Sequence, residues 1–180
     1  GMIKKILKTI LFFSALINLS YADFQKGFEA YKKEDYKIAI KEFTPLAEQG
    51  NLVAQFGLGH IYSYGGKNGT FKNDKLSAKW HRKAAEQGDA VSQSRLGLMY
   101  SLGNGVLKND KLSAKWHRKA AEQGNATSQL MIGVMYGSGI GVLKDMSKQK
   151  YWVNKAYEND DANVSQKAKI FWDKHQLWKY

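Results

Sequence analysis

Apolar side chains in this chain fall at helical spacing, segment after segment. Phe24, Phe28 and Tyr31 stand at i, i+4 and i+7, and Tyr36, Ala39, Ile40, Phe43 and Ala47 continue the spacing after a Glu34-Asp35 turn. This pattern predicts a helical hairpin over 23–50. Asp35 is placed to cap its second helix, Pro45 to kink that helix or cost it a backbone hydrogen bond, and Gly50 to end it in the left-handed region. Three further two-helix units follow at 51–88, 89–124 and 125–160. Their first helices carry Leu58, Leu96 or Ile132, then Gly59, Gly97 or Gly133, and three residues later Tyr62, Tyr100 or Tyr136. A glycine inside a helix costs about 1 kcal/mol against alanine, so its recurrence predicts close helix contact. A glycine-rich turn such as Gly103-Asn104-Gly105 comes next. The second helices are then expected to start at Asp74, Asp110 and Asp145, with those carboxylates as caps. Residues 161–180, with Ile170, Phe171, Trp172, Leu177 and Trp178, predict a final capping helix.

The stretch KNDKLSAKWHRKAAEQG occurs twice without change, from Lys72 to Gly88 and from Lys108 to Gly124, an offset of 36 residues. Identity at a fixed period of this size predicts stacked units that cannot bury their apolar faces alone. The first unit is two residues longer, with the surplus in the loop from Gly65 to Thr70. Within the repeated helix, Leu76, Trp80 and Ala84 share one face with Ala78, His81 and Ala85 beside them. Lys75, Lys79, Arg82 and Glu86 fall opposite, with Arg82 and Glu86 spaced to pair. Trp80, Trp116 and Trp152 are equivalent and are expected to pack inward. The basic side chains then form a solvated stripe, not the mixed basic and aromatic face of a nucleic-acid reader.

The Ala-Glu-Gln-Gly ahead of each following helix, Leu96-Gly97-Leu98-Met99-Tyr100, Gly103-Asn104-Gly105-Val106, and Lys-Trp followed by Lys-Ala-Ala together resemble the SEL-one-like repeat. Gly27, Tyr31, Asp35-Tyr36, Ala39-Ile40 and Phe43 resemble the related tetratricopeptide repeat. The resemblance covers about 24–160. It implies an all-α fold, an α/α solenoid of antiparallel helix pairs, whose first helices line a concave surface. It also implies a protein-binding adaptor. Exported members of the family include cysteine-rich proteins with penicillin-binding or β-lactamase activity. This chain has no cysteine, so that activity is not carried over. A periplasmic immunity protein that masks a toxic effector and a cell-wall or β-lactamase-like hydrolase are the alternative readings.

Composition narrows these expectations. Without cysteine there is no disulfide, thiolate nucleophile or cysteine-held metal. The formal net charge is +12, and Lys4, Lys5 and Lys8 open a basic-then-apolar segment that ends in Ser20-Tyr21-Ala22. After Gly1, read as a tag remnant, Met2 to Ala22 reads as a secretory signal cleaved before Asp23, so the mature chain is expected in the periplasm or outside the cell. No stable membrane span is expected after that cleavage, since the apolar run is about half the ~20 residues a spanning helix needs. His81 and His117 lie one repeat apart and read as packing residues, and His60 and His175 have no acidic partner pattern. No nucleophile, paired-acid or phosphate-loop motif stands out, so no catalytic residue, metal, cofactor or nucleic-acid partner is expected.

The positions that change character between units are the candidate partner-binding residues. Along the first helices, Gly57, His60 and Tyr64 align with Arg95, Leu98 and Leu102, and then with Met131, Val134 and Ser138. His60, Tyr64, Arg95, Leu98, Leu102, Met131 and Val134 combine aromatic, apolar and one basic group, which suits binding hot spots. The partner is expected to be a protein or peptide seated in a preformed groove with little change of shape.

Overall fold

The computed structural model describes residues 20–66 and 71–179, leaving the side chain of Trp178 aside. Most of the expected signal segment, and the tip of the loop that lengthens the first unit, lie outside the described residues. The described chain is all helix and turn, and its helix pairs pack in series as in an α/α solenoid. It divides into two compact units, one ending at Asn73 and one beginning at Asp74.

The first unit holds α1 (residues 20–32), α2 (Tyr36–Glu48) and α3 (Leu52–Tyr64). Asp35 caps α2 by accepting from the Ile38 N–H at 3.3 Å. The helix runs through Pro45 to Glu48, so that residue removes a donor without ending the helix. Phe43, 1% exposed, fills the core. A Cβ added at Gly27 or Gly57 would stand 2.8 Å from its ring, so both glycines are contact surfaces for one aromatic side chain. Lys26 pairs with the buried Glu42 at 2.5 Å across α1 and α2.

The second unit runs α4 (Asp74–Glu86), α5 (Ala90–Leu102), α6 (Asp110–Glu122), α7 (Ala126–Ser138), α8 (Met146–Tyr157) and α9 (Ala162–Lys174). The helices have near-equal lengths because the same stop and start signals recur. Asp89 and Asn125 cap α5 and α7 by accepting from the N–H three residues on, and Gly103 and Gly139 end these helices in the left-handed region. For α6 the expected cap is corrected. Asn109, not Asp110, accepts from the Leu112 N–H at 2.9 Å, and Asp110 is the first helical residue. Asn109 is the residue 36 positions before Asp145, the cap of α8. Gly105 and Gly141 have φ of +68° and +71°. A side chain there would overlap the backbone carbonyls of Asp74 and Asp110, so each glycine turn is seated on the start of the preceding second helix. The C-terminal segment is not one helix. It stops at Lys174, turns through Gln176 at φ +50°, and a short 3-10 turn at Leu177–Lys179 carries Leu177, fully buried, back against Val153, Ala156 and Val164.

Helix pairs are joined by a polar device that the hydrophobic pattern does not reveal. Gln93 and Gln129 are buried, and their Nε2 groups donate to the carbonyls of Ala85 and Ala121 at the ends of α4 and α6. Gln123 then donates to Gly88 O at 3.0 Å and Gln93 Oε1 at 2.8 Å, and Asn159 does the same to Gly124 O and Gln129 Oε1. A Gln93→Leu variant removes two hydrogen bonds, the one to the Ala85 carbonyl, which then keeps only the Gly88 N–H at 3.1 Å, and the one that Gln93 Oε1 accepts from Gln123. It is expected to lower stability by about 1–3 kcal/mol, read as an earlier urea midpoint at unchanged m-value.

Candidate functional site

The second unit carries a cavity of about 220 Å³ between its first helices. Val91, Ser94, Arg95 and Leu98 of α5 form one wall, Asn125, Thr127 and Met131 the other, and His117 of α6 contributes from below. Arg95 and Leu98 are exposed and Met131 is half-buried. Three of the sequence-predicted residues therefore share one groove. Leu102 and Val134 do not line it: Leu102 ends α5 at the glycine turn, 58% exposed, and Val134 is half-buried on α7. His60 and Tyr64 belong to the first unit, where they form a separate aromatic cluster. Tyr31 Oη and His60 Nδ1 are hydrogen-bonded at 2.9 Å, the His60 and Tyr64 rings are 4.7 Å apart, and Phe56 stacks on His60 at 6.4 Å. Burial holds the Tyr31 hydroxyl above its ordinary pKa, so it stays protonated as a hydrogen-bonding group. Gly57, aligned with Arg95, is closed off by Phe43 and offers no surface.

The groove floor rests on a pair that recurs along the array. His81 Nδ1 meets Ser92 Oγ at 3.2 Å, and His117 Nδ1 meets Ser128 Oγ at 3.0 Å. Both histidines are buried, at 2% and 1% exposure. The equivalent pair one repeat on is Val153 and Val164, which pack in one core cluster. Glycine makes room for this row. A Cβ at Gly97 would be 2.9 Å from His117 Nε2, and one at Gly133 would be 2.8 Å from Val153 Cγ2. His117 Nε2 has no hydrogen-bond partner, and burial lowers the ring's pKa from 6.5 to about 4, so the imidazole is neutral at pH 7.

On the opposite face Trp80 and Trp116 point inward, at 3% and 8% exposure. Their lysine neighbours are not simply solvated. Lys79 Nζ lies 4.5 Å over the Trp80 ring, and Lys115 and Lys119 lie 5.7 and 5.2 Å over Trp116. Arg82 does not turn to Glu86 but donates to Tyr100 Oη at 3.0 Å. In the last unit Tyr151 takes the place of Lys115 and meets Trp152 edge-on at 5.0 Å. Among the described residues no three acidic or histidine side chains gather as a metal site requires, and no helix is long and apolar enough to cross a membrane.

The arrangement matches known proteins over most of its length. The Sel1 repeat model matches residues 52–89, 90–125 and 126–161. A Sel1 repeat protein from Oxalobacter formigenes is 35% identical, with 73% of this chain and 98% of that one covered at a TM-score of 0.62. A protective antigen of uropathogenic Escherichia coli with an SLR fold is 25% identical at a TM-score of 0.56. There the match spans 89% of this chain and 43% of the antigen. The cysteine-rich protein B of Helicobacter pylori, 21% identical over 74% of this chain and 95% of its own, has a TM-score of 0.56 and shares the fold. No curated protein sequence matches the chain.

The buried histidine makes stability depend on pH in a defined direction. The unfolded chain takes a proton on this ring near pH 6.5, whereas the folded chain resists until about pH 4. Stability from this site is therefore full above pH 6.5 and is lost as pH falls towards 4, by about 3 kcal/mol across that window. The His117→Val/Ser128→Val double variant copies the Val153 and Val164 pair. Its urea midpoint is expected to fall less than that of the unmodified chain between pH 7 and pH 4.5. Equal falls in the two proteins would remove His117 as the cause.

Proposed function

We propose that this chain, which belongs to the Sel1 repeat family, is a non-catalytic protein-binding module that seats a segment of another protein in the groove between α5 and α7. Sel1 repeats are commonly protein–protein interaction scaffolds, and the matched residues make up most of the chain. One observation carries the placement of the site. Arg95, Leu98 and Met131 differ from their equivalents in neighbouring repeats, yet two adjacent helices bring them around a single cavity. The glutamines that link the helix pairs recur at 55, 93 and 129, and the cap position ahead of each first helix holds only Asn or Asp. The linking positions thus keep their chemistry while the groove positions change theirs, which suits a binding face on a repeat array.

The groove supplies an apolar wall from Val91, Leu98 and Met131, a guanidinium at Arg95, and amide and hydroxyl groups at Asn125, Ser94 and Thr127. Such a lining accepts a peptide that offers an apolar side chain beside a carboxylate or a run of carbonyls. His60 and Tyr64 form a second candidate contact surface in the first unit. The basic-then-apolar start of the sequence supports export, and the periplasm or the extracellular space is the proposed location.

The Arg95→Glu/Leu98→Asp double variant reverses the charge and removes apolar area at one lip of the groove. Both side chains are exposed, so helicity and urea midpoint should stay unchanged. Capture of the native envelope partner, scored by mass spectrometry, should drop by about tenfold or more. Undiminished capture would move the site off this groove. Turnover of nitrocefin or peptidoglycan that falls with mutation would instead support an enzyme.

A further inference from the structure

Two side chains in the second unit are more exposed than any apolar residue needs to be. Leu107 is 92% and Leu143 91% exposed, and they occupy the same position in successive glycine turns, 36 residues apart. Leu102 at 58% and Ile140 at 50% add two more apolar groups to these turns. The turns are neighbours: Gly141, two residues before Leu143, is seated on the backbone of Asp110, three residues after Leu107. The leucines therefore stand on one edge of the unit, at the far end of α5 and α7 from most of the groove.

Charge says what covers them. Each leucine is followed directly by an exposed lysine, Lys108 or Lys144, and exposed lysines recur within the first turns of α6 and α8, at Lys111 and Lys148. A cation in the first turn of a helix stands against the helix dipole, which favours anions there. The acidic groups at this edge are half-buried: Asp145 caps α8 and pairs with Lys148 at 3.3 Å, and Asp110 opens α6. A protein partner's interface centre is depleted in lysine, and it needs a contiguous apolar patch rather than single leucines alternating with lysines on separate turns. An anionic bilayer surface fits both features. Leucines enter the boundary between headgroups and acyl chains while lysines remain among the phosphates.

We propose that this turn edge, built from Leu102, Leu107, Lys108, Ile140, Leu143 and Lys144, docks the second unit onto an anionic lipid surface. The groove residues lie elsewhere along the same helices, so a partner and a bilayer can be held together.

The chain has no cysteine, so Leu107→Cys gives a single attachment point for an environment-sensitive dye. With vesicles of phosphatidylcholine containing phosphatidylglycerol, the dye should shift to the blue; with phosphatidylcholine alone it should not. A dye on Lys83→Cys, far along α4, should stay unchanged with both. This site-specific readout separates the edge from any lipid affinity of the N-terminal apolar segment. Leu107→Ser/Leu143→Ser, which alters only exposed side chains, should reduce dockable protein by about tenfold or more, and Lys108→Glu/Lys144→Glu should abolish the preference for the anionic vesicles. A dye at position 107 that remains in water while the chain is bound, or binding unaffected by the leucine variant, would overturn the proposal. So would concentration-dependent self-association that the leucine variant removes without any vesicle binding, since a second copy would then be the occupant.

Discussion

A glutamine side chain set against the end of the preceding helix is the contact on which the array depends. An α-helix leaves its last carbonyls without intrahelical partners, and burying them against a neighbour is costly unless something donates to them. Here the N–H groups of Gly50, Gly88 and Gly124 reach the carbonyls of Ala47, Ala85 and Ala121, and Gln55, Gln93 and Gln129 add a second donor from the next helix at 2.9, 3.1 and 3.4 Å. Because the amide must meet one carbonyl, it fixes both the distance and the rotation between a second helix and the first helix that follows. In the second unit the acceptor end of the same amide is then taken by Gln123 or Asn159 from the next helix pair. Apolar packing alone would tolerate sliding of one helix past another. A directed, buried hydrogen bond does not.

With that register set, the core is free to change chemistry in matched pairs. His117 with Ser128 becomes Val153 with Val164, and the serine at position 113 becomes Gln149 where Ser101 becomes Gly137. A Cβ at Gly137 would collide with the Gln149 side chain, so the larger residue occupies space that the smaller one vacates. Neither half of such a pair is informative alone. A buried imidazole needs the serine, and the glycine beside it supplies the room that a ring needs and an aliphatic residue also uses.

Helix pairs, stop signals and the inward tryptophans follow from spacing and from the repeated stretch, because apolar periodicity records which face a helix buries. The cap of α6 was misplaced by one residue because Asn109 and Asp110 are both competent caps, and only alignment with Asp145 separates them. The glutamine links were not legible in the pattern. A polar side chain reads as surface until its carbonyl partner is known, although its return at 55, 93 and 129 was a usable signal. The groove was half visible. Variation between units pointed to Arg95, Leu98 and Met131, but it pointed equally to Gly57, which Phe43 covers, and to Leu102, which ends α5 outside the groove. A one-dimensional alignment shows which positions are free to vary, not which of them face the same space.

The hydrogen-bonded pairs cross from one repeat into the next, since His81 pairs with Ser92 and His117 with Ser128. The interchangeable module is therefore a second helix with the first helix after it, offset by half a unit from the repeat that the sequence displays. A recombination between the two identical stretches would remove 36 residues and leave His81 facing Ser128, with Gln87 standing where Gln123 had been. The buried pairing of histidine with serine would be kept. The same exchange in reverse would lengthen the array by one helix pair, so the identical stretch makes the size of this protein a quantity that inheritance can change in whole steps.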